Sequence, residues 1–203
     1  MSATTVEVFL VEEHALVRRG LVELMTASGE LAVVGTAGTA AEAVPLIATT
    51  GPEVVLLDAR LHDGSGIRTC RAVRSAHPEL PCLLLTSGED DEALLATVLG
   101  GAAGYVGKQV GGTVLSDALR AVAQGRPLVE PATTERLLDR LRGPWPGRSG
   151  VELDEREQQV LELVGLGCTD VQIAEKLDLA EPTVRSQVGA LVARLAVRPG
   201  QPG

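Results

Sequence analysis

Side chains that could bind phosphate and a cation lie at the ends of four short apolar runs in the first half of the chain. They are Glu12 and Glu13 after the first run, Asp58 at the end of the third, Thr86 at the end of the fourth and Lys108 at the end of the fifth. If these runs are neighbouring parallel strands, their carboxyl ends meet at one edge of a sheet, which is where such sheets bind ligands. The spacing therefore predicts one polar pocket.

Phosphoryl transfer is the chemistry that this set of side chains suits, because its catalysis is mostly positioning and charge neutralisation. Asp58 is the candidate nucleophile, and clustered carboxylates call for a hard divalent cation such as Mg²⁺, which prefers oxygen ligands. Lys108 can place a point charge against phosphoryl oxygens. Thr86 can donate a hydroxyl hydrogen bond once a phosphoryl group is present.

The elements that must position these residues follow from the alternation of apolar runs with amphipathic stretches over residues 1–125. Runs of this kind are typical of buried parallel strands covered by helices on both faces. We therefore predict a doubly wound α/β domain with a five-stranded parallel sheet. The predicted strands are 6–11, 31–37, 53–58, 82–86 and 104–108, and the predicted helices are 14–27, 39–49, 66–76, 90–100 and 112–124.

The pattern changes after Gly125. Residues 126–150 hold one more predicted helix (132–143) and a Pro/Gly-rich linker, GPWPGRSG. Only helical periodicity appears in residues 151–203, which predicts a small all-α domain with helices at 154–167, 169–179 and 182–195. Asp154 and Thr169 are the expected N-caps of the first two, and Pro182 suits the first turn of the third.

The amino-acid composition limits the classes of protein to which this chain could belong. The 203 residues are 45% hydrophobic and 22% charged with a net charge of −9, which is ordinary for a globular chain and disfavours a strongly basic nucleic-acid binder. No apolar run approaches the ~20 residues that span a bilayer, so we expect a cytoplasmic protein without membrane contact. The three cysteines and three histidines are dispersed, which predicts reduced thiols and disfavours a zinc site.

The first 125 residues resemble the receiver domain of bacterial response regulators, on the order acid pair, Asp, Thr, Tyr and Lys. The resemblance implies that Asp58 accepts a phosphoryl group from a histidine kinase, that Thr86 and Tyr105 form the switch pair, and that Lys108 binds the phosphate. It also implies a Mg²⁺ site formed by Glu12, Glu13, Asp58 and the backbone carbonyl of Arg60.

Two positions depart from the receiver pattern. Glu13 is one methylene longer than the Asp that the family prefers, and Mg²⁺ tolerates little distortion from octahedral geometry. In DARLHDGSG (58–66), His62 stands where the family usually has proline. These departures keep open a receiver that acts without phosphorylation.

Residues 153–197 resemble the helix-turn-helix of NarL/LuxR-type regulators, through L-x-x-R-E-x-x-V-L-x-L-V, I-A-x-x-L-x-L and T-V-R-x-x-V. In the last helix, Val184, Val188, Leu191 and Leu195 form one apolar face that should pack inward. The helix after such a turn usually reads the major groove. The residues expected to contact promoter DNA are Thr183, Arg185, Ser186, Gly189 and Arg194.

Residues 151–203 carry nine acidic and five basic residues, a net charge of −4. DNA affinity draws largely on phosphate neutralisation by Lys and Arg, and the chain also ends in RPGQPG where the family usually has a fourth helix. An interaction module that no longer binds DNA therefore remains an alternative. A flavodoxin-like enzyme is disfavoured, because no glycine loop follows the first strand. The favoured function is a homodimeric DNA-binding transcriptional regulator of a two-component phosphorelay rather than an enzyme.

Overall fold

The computed structural model describes residues 5–27, 29–61, 64–87, 90–142 and 153–195. Three sequence predictions lie outside these ranges. They concern His62 at the usual proline position, the linker at 143–150 and the absence of a fourth helix after Val197.

Five parallel strands form the central sheet. They are β1 (Val6–Val11), β2 (Leu31–Ala37), β3 (Val54–Asp58), β6 (Cys82–Thr86) and β7 (Gly104–Gly107), in the order β2-β1-β3-β6-β7. Two short strands, β4 (Arg60–Leu61) and β5 (Gly64–Ser65), form an antiparallel pair just after β3. The predicted five-stranded parallel sheet is confirmed, and each apolar run contributes one strand.

Helices cover both faces of the sheet because side chains alternate along each strand. The helices of this domain are α1 (Ala15–Thr26), α2 (Ala40–Thr50), α3 (Gly66–Ala76), α4 (Asp90–Gly100) and α5 (Gly112–Ala123). Leu56 points into a core shared with α1 and α5, whereas its neighbour Leu57 points into a core shared with α2 and α3. Within the described ranges, no helix has both the length and the apolar content to cross a membrane.

Four further helices follow, namely α6 (Pro131–Arg142), α7 (Glu155–Gly165), α8 (Asp170–Leu177) and α9 (Glu181–Leu195). The predicted N-caps are present: Asp154 and Thr169 each form a capping box with the residue three positions later. The apolar face predicted for the last helix (Val184, Val188, Leu191 and Leu195) is buried.

A third core joins the two halves of the protein. Ile67 of α3 and Leu95, Val98 and Leu99 of α4 belong to the same buried cluster as the apolar side chains of α6, α7, α8 and α9. Helix α4 contacts α7, and α3 contacts α8. The helix-turn-helix therefore packs directly on the α3–α4 side of the sheet domain.

Gly35 of β2 pairs with Phe9 of β1, and the phenyl ring fills the space where a side chain on residue 35 would lie. A Cβ atom there would be 2.5 Å from Cε2 and 2.7 Å from Cδ2 of Phe9, whose side chain is fully buried. Because the ring is enclosed, we expect Gly35→Ala to lower the free energy of unfolding by about 1–3 kcal/mol.

Gly20→Ala is the matched control, since nothing lies within 4 Å of a Cβ atom at this exposed position of α1. It should raise the free energy of unfolding by about 0.5–1 kcal/mol, because alanine favours helix. Urea unfolding followed by circular dichroism measures both changes. Equal stabilities for the two variants would contradict this account of Gly35.

Candidate functional site

The sheet brings the predicted pocket residues to one edge. Strands β1, β3, β6 and β7 are in parallel register, with Val11 beside Leu57, Asp58 beside Leu85 and Thr86 beside Gly107. Glu12 and Lys108 follow immediately after β1 and β7. The side chains that the sequence placed at four strand ends therefore share one end of the domain.

Lys108 joins the two carboxylates at the centre of this pocket. Its Nζ donates hydrogen bonds to Oδ2 of Asp58 at 2.6 Å and to Oε2 of Glu12 at 2.8 Å. Glu12 and Asp58 are 0% and 3% exposed. Buried carboxylates need such partners, because an unpaired charge away from water is costly.

The other carboxylate oxygens are held by the backbone. Oδ1 of Asp58 accepts from the Arg60 N–H at 3.0 Å, and Oε1 of Glu12 accepts from the His14 N–H at 2.9 Å. Arg18 of α1 donates through Nη1 to the carbonyl of Glu12 at 2.6 Å and to that of Glu13 at 3.3 Å. Both acids at the centre are thus fixed in orientation before any ligand binds.

The pocket shifts the pKa values of its two buried acids in opposite directions. Burial raises the pKa of Asp58, and the hydrogen bonds from Lys108 and the Arg60 backbone do not fully offset it. Burial also acts to raise the pKa of Glu12, but its hydrogen bonds from Lys108 and His14 prevail and the pKa is lowered. Burial acts to lower the pKa of Lys108, yet its bonds to both acids raise it. Burial therefore dominates at Asp58, whereas the hydrogen bonds together dominate at Glu12.

A cation could be held by a group of three residues. One ligand atom from each of Glu12, His14 and Asp58 lies within 4.8 Å of the others. The carboxylate oxygens suit Mg²⁺. Sequence reasoning missed His14, because the bend at Glu13 that places it beside Glu12 is not evident from the sequence. Glu13 lies beside this group, with Oε1 3.6 Å from Nδ1 of His14.

The predicted switch pair is divided between two environments. Thr86 ends β6 and is buried at the pocket edge of the sheet. Tyr105 lies on β7 beside Leu84 and packs, half-buried, against the core shared with α2 and α3. Roles for Thr86, Tyr105, Glu13 and the carbonyl of Arg60 remain predictions.

Gly66 brings the first turn of α3 against the end of β3. A Cβ atom at residue 66 would lie 1.9 Å from the carbonyl oxygen of Asp58 and 2.9 Å from Cα of Ala59. The Gly66 N–H donates to the Ala59 carbonyl at 3.2 Å. Only glycine permits this approach of two backbones, which accounts for the last glycine of the DARLHDGSG segment.

The residues expected to contact DNA lie on the outer side of α9. Thr183, Arg185, Ser186 and Arg194 are exposed and Gly189 is half-buried. Each of the two arginines has an acidic partner: Arg185 pairs with Glu181 one turn earlier, and Arg194 pairs with Glu157 of α7. Part of the scarce positive charge is therefore neutralised within the domain.

Part of the outer side of α9 faces the sheet domain across a cleft of about 710 Å³. Arg185 and Gly189 line the cleft on one side, and the other side is formed by α2 and α3, including Val44 and Arg68. At the base of the cleft, Arg71 of α3 meets Asp170, the first residue of α8.

Arg71 and Asp170 form a buried ion pair between the domains, being 5% and 2% exposed. Nε and Nη2 of Arg71 donate to Oδ1 of Asp170 at 2.8 and 2.6 Å. The same guanidinium donates to the carbonyls of Leu99 (3.2 Å) and Cys168 (3.3 Å). Oγ of Ser75 accepts from the Asp170 N–H at 3.3 Å. No local pattern predicts this pair, because its members are 99 residues apart.

Comparisons with known proteins agree with this architecture. The family described as "Response regulator receiver domain" matches residues 8–120, and "Bacterial regulatory proteins, luxR family" matches residues 151–200. The DNA-binding transcriptional activator DevR/DosR of Mycobacterium tuberculosis is 44% identical over 193 residues, covering 95% of this chain and 89% of that protein.

Two further similarities extend over nearly the whole chain. The transcriptional regulatory protein LnrK of Bacillus subtilis is 29% identical over 202 residues, covering 95% of this chain and 92% of that protein. The crystal structure of the response regulator ChrA, from a heme-sensing two-component system, aligns with a TM-score of 0.55 and 29% identity over 96% of this chain and 92% of that one.

The sheet, the acidic pocket and the helix-turn-helix define a two-domain regulatory protein. The chain belongs to the response regulators of two-component systems, with a LuxR-type helix-turn-helix domain, which confirms the family predicted from sequence.

Gly66→Ala should lower the rate of the predicted phosphorylation of Asp58, because the added methyl group must displace the backbone that carries this residue. Gly100→Ala is its control, since a Cβ atom there meets the Cys70 side chain at an ordinary 3.6 Å. Intact-mass analysis during treatment with acetyl phosphate and Mg²⁺ measures both rates. Wild-type labelling of Gly66→Ala would show that the contact does not position Asp58.

Proposed function

We propose that the protein is a transcriptional regulator of the bacterial cytoplasm, switched when a cognate histidine kinase phosphorylates Asp58. The observation that carries this proposal is the placement of Asp58. Its buried carboxylate contacts Lys108, and its backbone contacts the first residue of α3, one of the two sheet-domain helices in the core shared with the helix-turn-helix.

In the proposed reaction, a carboxylate oxygen of Asp58 forms a bond to phosphorus while the bond from phosphorus to the kinase histidine breaks. Lys108 already touches this carboxylate and is placed to contact a phosphoryl oxygen. Mg²⁺ would be held by Glu12 and Asp58, with Glu13 and the Arg60 carbonyl as the further proposed ligands, and it supplies charge neutralisation.

Two helices that begin close to the proposed phosphorylation site also contact the DNA-binding domain. Helix α3 starts eight residues after Asp58, and α4 starts four residues after Thr86. Both helices contribute to the core that holds α7, α8 and α9. We infer that a shift of Thr86 toward the phosphoryl group moves α4 and thereby weakens this core.

The described arrangement favours an inactive form. The major groove of a DNA duplex is about 12 Å wide, and the whole duplex is wider still. A duplex therefore cannot enter the cleft of about 710 Å³ that Arg185 and Gly189 line. DNA binding through this side of α9 therefore requires the domains to separate. We further propose that the active form is a homodimer on promoter DNA, because two copies double a small number of phosphate contacts.

Phosphorylation should strengthen binding to promoter DNA. Acetyl phosphate with Mg²⁺ should add one phosphate to the wild-type protein and none to Asp58→Asn, as read by intact mass. Fluorescence anisotropy with genomic promoter fragments should then show tighter binding only for the labelled protein. The salt dependence should be shallow, since the slope of log affinity on log salt is ~0.9 per neutralised phosphate.

Two variants separate the parts of this test. Arg185→Ala should lose DNA binding but still accept phosphate, whereas Arg19→Ala, which removes an exposed arginine of α1, should change neither. Equal labelling of wild type and Asp58→Asn would refute the acceptor assignment. If no fragment binds in either state at low salt, the protein is an interaction module rather than a DNA-binding regulator.

Arg71→Gln should open the two domains without phosphorylation. Removing one partner of a buried ion pair costs about 3–5 kcal/mol, because the other charge is left unpaired, and separation of the domains lets Asp170 reach water. Small-angle scattering should show a larger radius of gyration, and anisotropy should show tighter DNA binding by the unphosphorylated protein. Arg19→Gln, with the same loss of charge from an exposed pair, is the control. A compact Arg71→Gln protein with wild-type DNA affinity would contradict the proposed inactive form.

A further inference from the structure

We propose that His14 is a nitrogen ligand of the receiver's cation site, and that it shifts the preference of this site from Mg²⁺ toward divalent first-row transition ions such as Co²⁺ or Zn²⁺. This inference rests on the proposed function, because it concerns the cation that assists phosphorylation of Asp58. It adds a ligand that neither the sequence pattern nor the family resemblance supplied.

The backbone position of His14 is the first support. His14 is the N-cap residue of α1, with φ −76° and ψ 110°, but its side chain makes no capping hydrogen bond. Ser, Thr, Asp and Asn are preferred at this position because their side chains accept from the first turn. The imidazole instead turns toward Glu12, whose Oε1 lies 3.1 Å from Nδ1.

The separations of the donor atoms are the second support. Ligand atoms of Glu12, His14 and Asp58 lie within 4.8 Å of one another. Neighbouring ligands around an octahedral ion with bonds of 2.0–2.1 Å are roughly 3 Å apart, close to the 3.1 Å between Nδ1 of His14 and Oε1 of Glu12. A small inward movement of Asp58 and His14 would therefore bring three donor atoms, one from each residue of the group, close enough to bind one ion.

The immediate surroundings of the imidazole are acidic. Nδ1 also lies 3.6 Å from Oε1 of Glu13, so two carboxylates flank the same ring nitrogen. The His14 side chain is 64% exposed, which leaves it free to turn and open to an entering ion. Lys108 supplies the positive charge between Glu12 and Asp58 in the described structure, and an entering ion would take over that role.

The chemistry of the donor set decides the preference. Mg²⁺ is bound by oxygen ligands and rarely by imidazole, whereas imidazole suits the later first-row ions, whose affinity for a mixed nitrogen and oxygen site rises along the series. Two carboxylates and one imidazole form such a mixed site. His14 should therefore contribute to the binding of Co²⁺ and contribute little to the binding of Mg²⁺.

The test compares calorimetric titrations of Co²⁺ and Mg²⁺ into the full-length protein and its His14→Gln variant. The variant keeps the backbone N–H that donates to Glu12. Loss of groups that only support a ligand already weakens metal binding about 10–100-fold, so His14→Gln should weaken Co²⁺ binding by at least about tenfold. Mg²⁺ binding should change by less than about twofold, since the oxygen ligands remain.

Proton NMR of the Co²⁺-loaded protein identifies the ligand directly. A strongly shifted, exchangeable imidazole N–H signal should appear in wild type, persist in His62→Gln and His77→Gln, and vanish in His14→Gln. Persistence of the signal in His14→Gln would overturn the inference. An equal loss of affinity for both ions would also overturn it, because His14 would then only position Glu12.

The failure of this inference is distinguishable from failure of the proposed function. If wild type takes up phosphate in Mg²⁺ but the Co²⁺-loaded protein shows no imidazole signal, His14 is not a ligand and the phosphorylation proposal stands. If neither ion binds and acetyl phosphate leaves the mass of the protein unchanged, both proposals are wrong.

Discussion

The contact between Gly66 and the carbonyl oxygen of Asp58 is the constraint on which most of the molecule depends. It fixes the start of α3 against the end of β3, so the helix leaves the sheet at the same place where the proposed acceptor lies. Helix α3 then carries Ile67 into the core shared with the helix-turn-helix and carries Arg71 to Asp170. We therefore expect a displacement of the proposed acceptor's backbone to reach the second domain through α3, in addition to any movement of α4.

Two groups of buried charges beside this helix follow the same physical rule, that a buried charge needs a partner. At one end, Lys108 lies between Glu12 and Asp58, so the acidic pocket is balanced before a cation arrives. At the middle of the helix, Asp170 is paired with the guanidinium of Arg71, which also donates to two carbonyl groups. A metal ion could take over the first balance from Lys108, whereas the second can be relieved only by water.

The sequence predicted the sheet and its polar edge well because both depend on local patterns. Apolar runs determine the strands, and parallel pairing forces their ends together, so Asp58, Thr86 and Lys108 could be grouped without coordinates. The pairing of Arg71 with Asp170 could not be predicted, because it depends on how two domains pack. His14 was missed for another reason: a histidine dispersed in sequence is uninformative until the turn after β1 places it beside Glu12.

We expect the buried ion pair between the domains also to determine the form of the proposed response. If the interface opened only partway, the ion pair between Arg71 and Asp170 would break before either side chain was fully hydrated. A partly open arrangement should therefore be higher in free energy than both the closed and the fully open arrangements. Such an interface has two stable positions with a barrier between them. We therefore expect each molecule to behave as a bistable element, so that a graded signal changes the fraction of molecules that are open and leaves the degree of opening in each one unchanged.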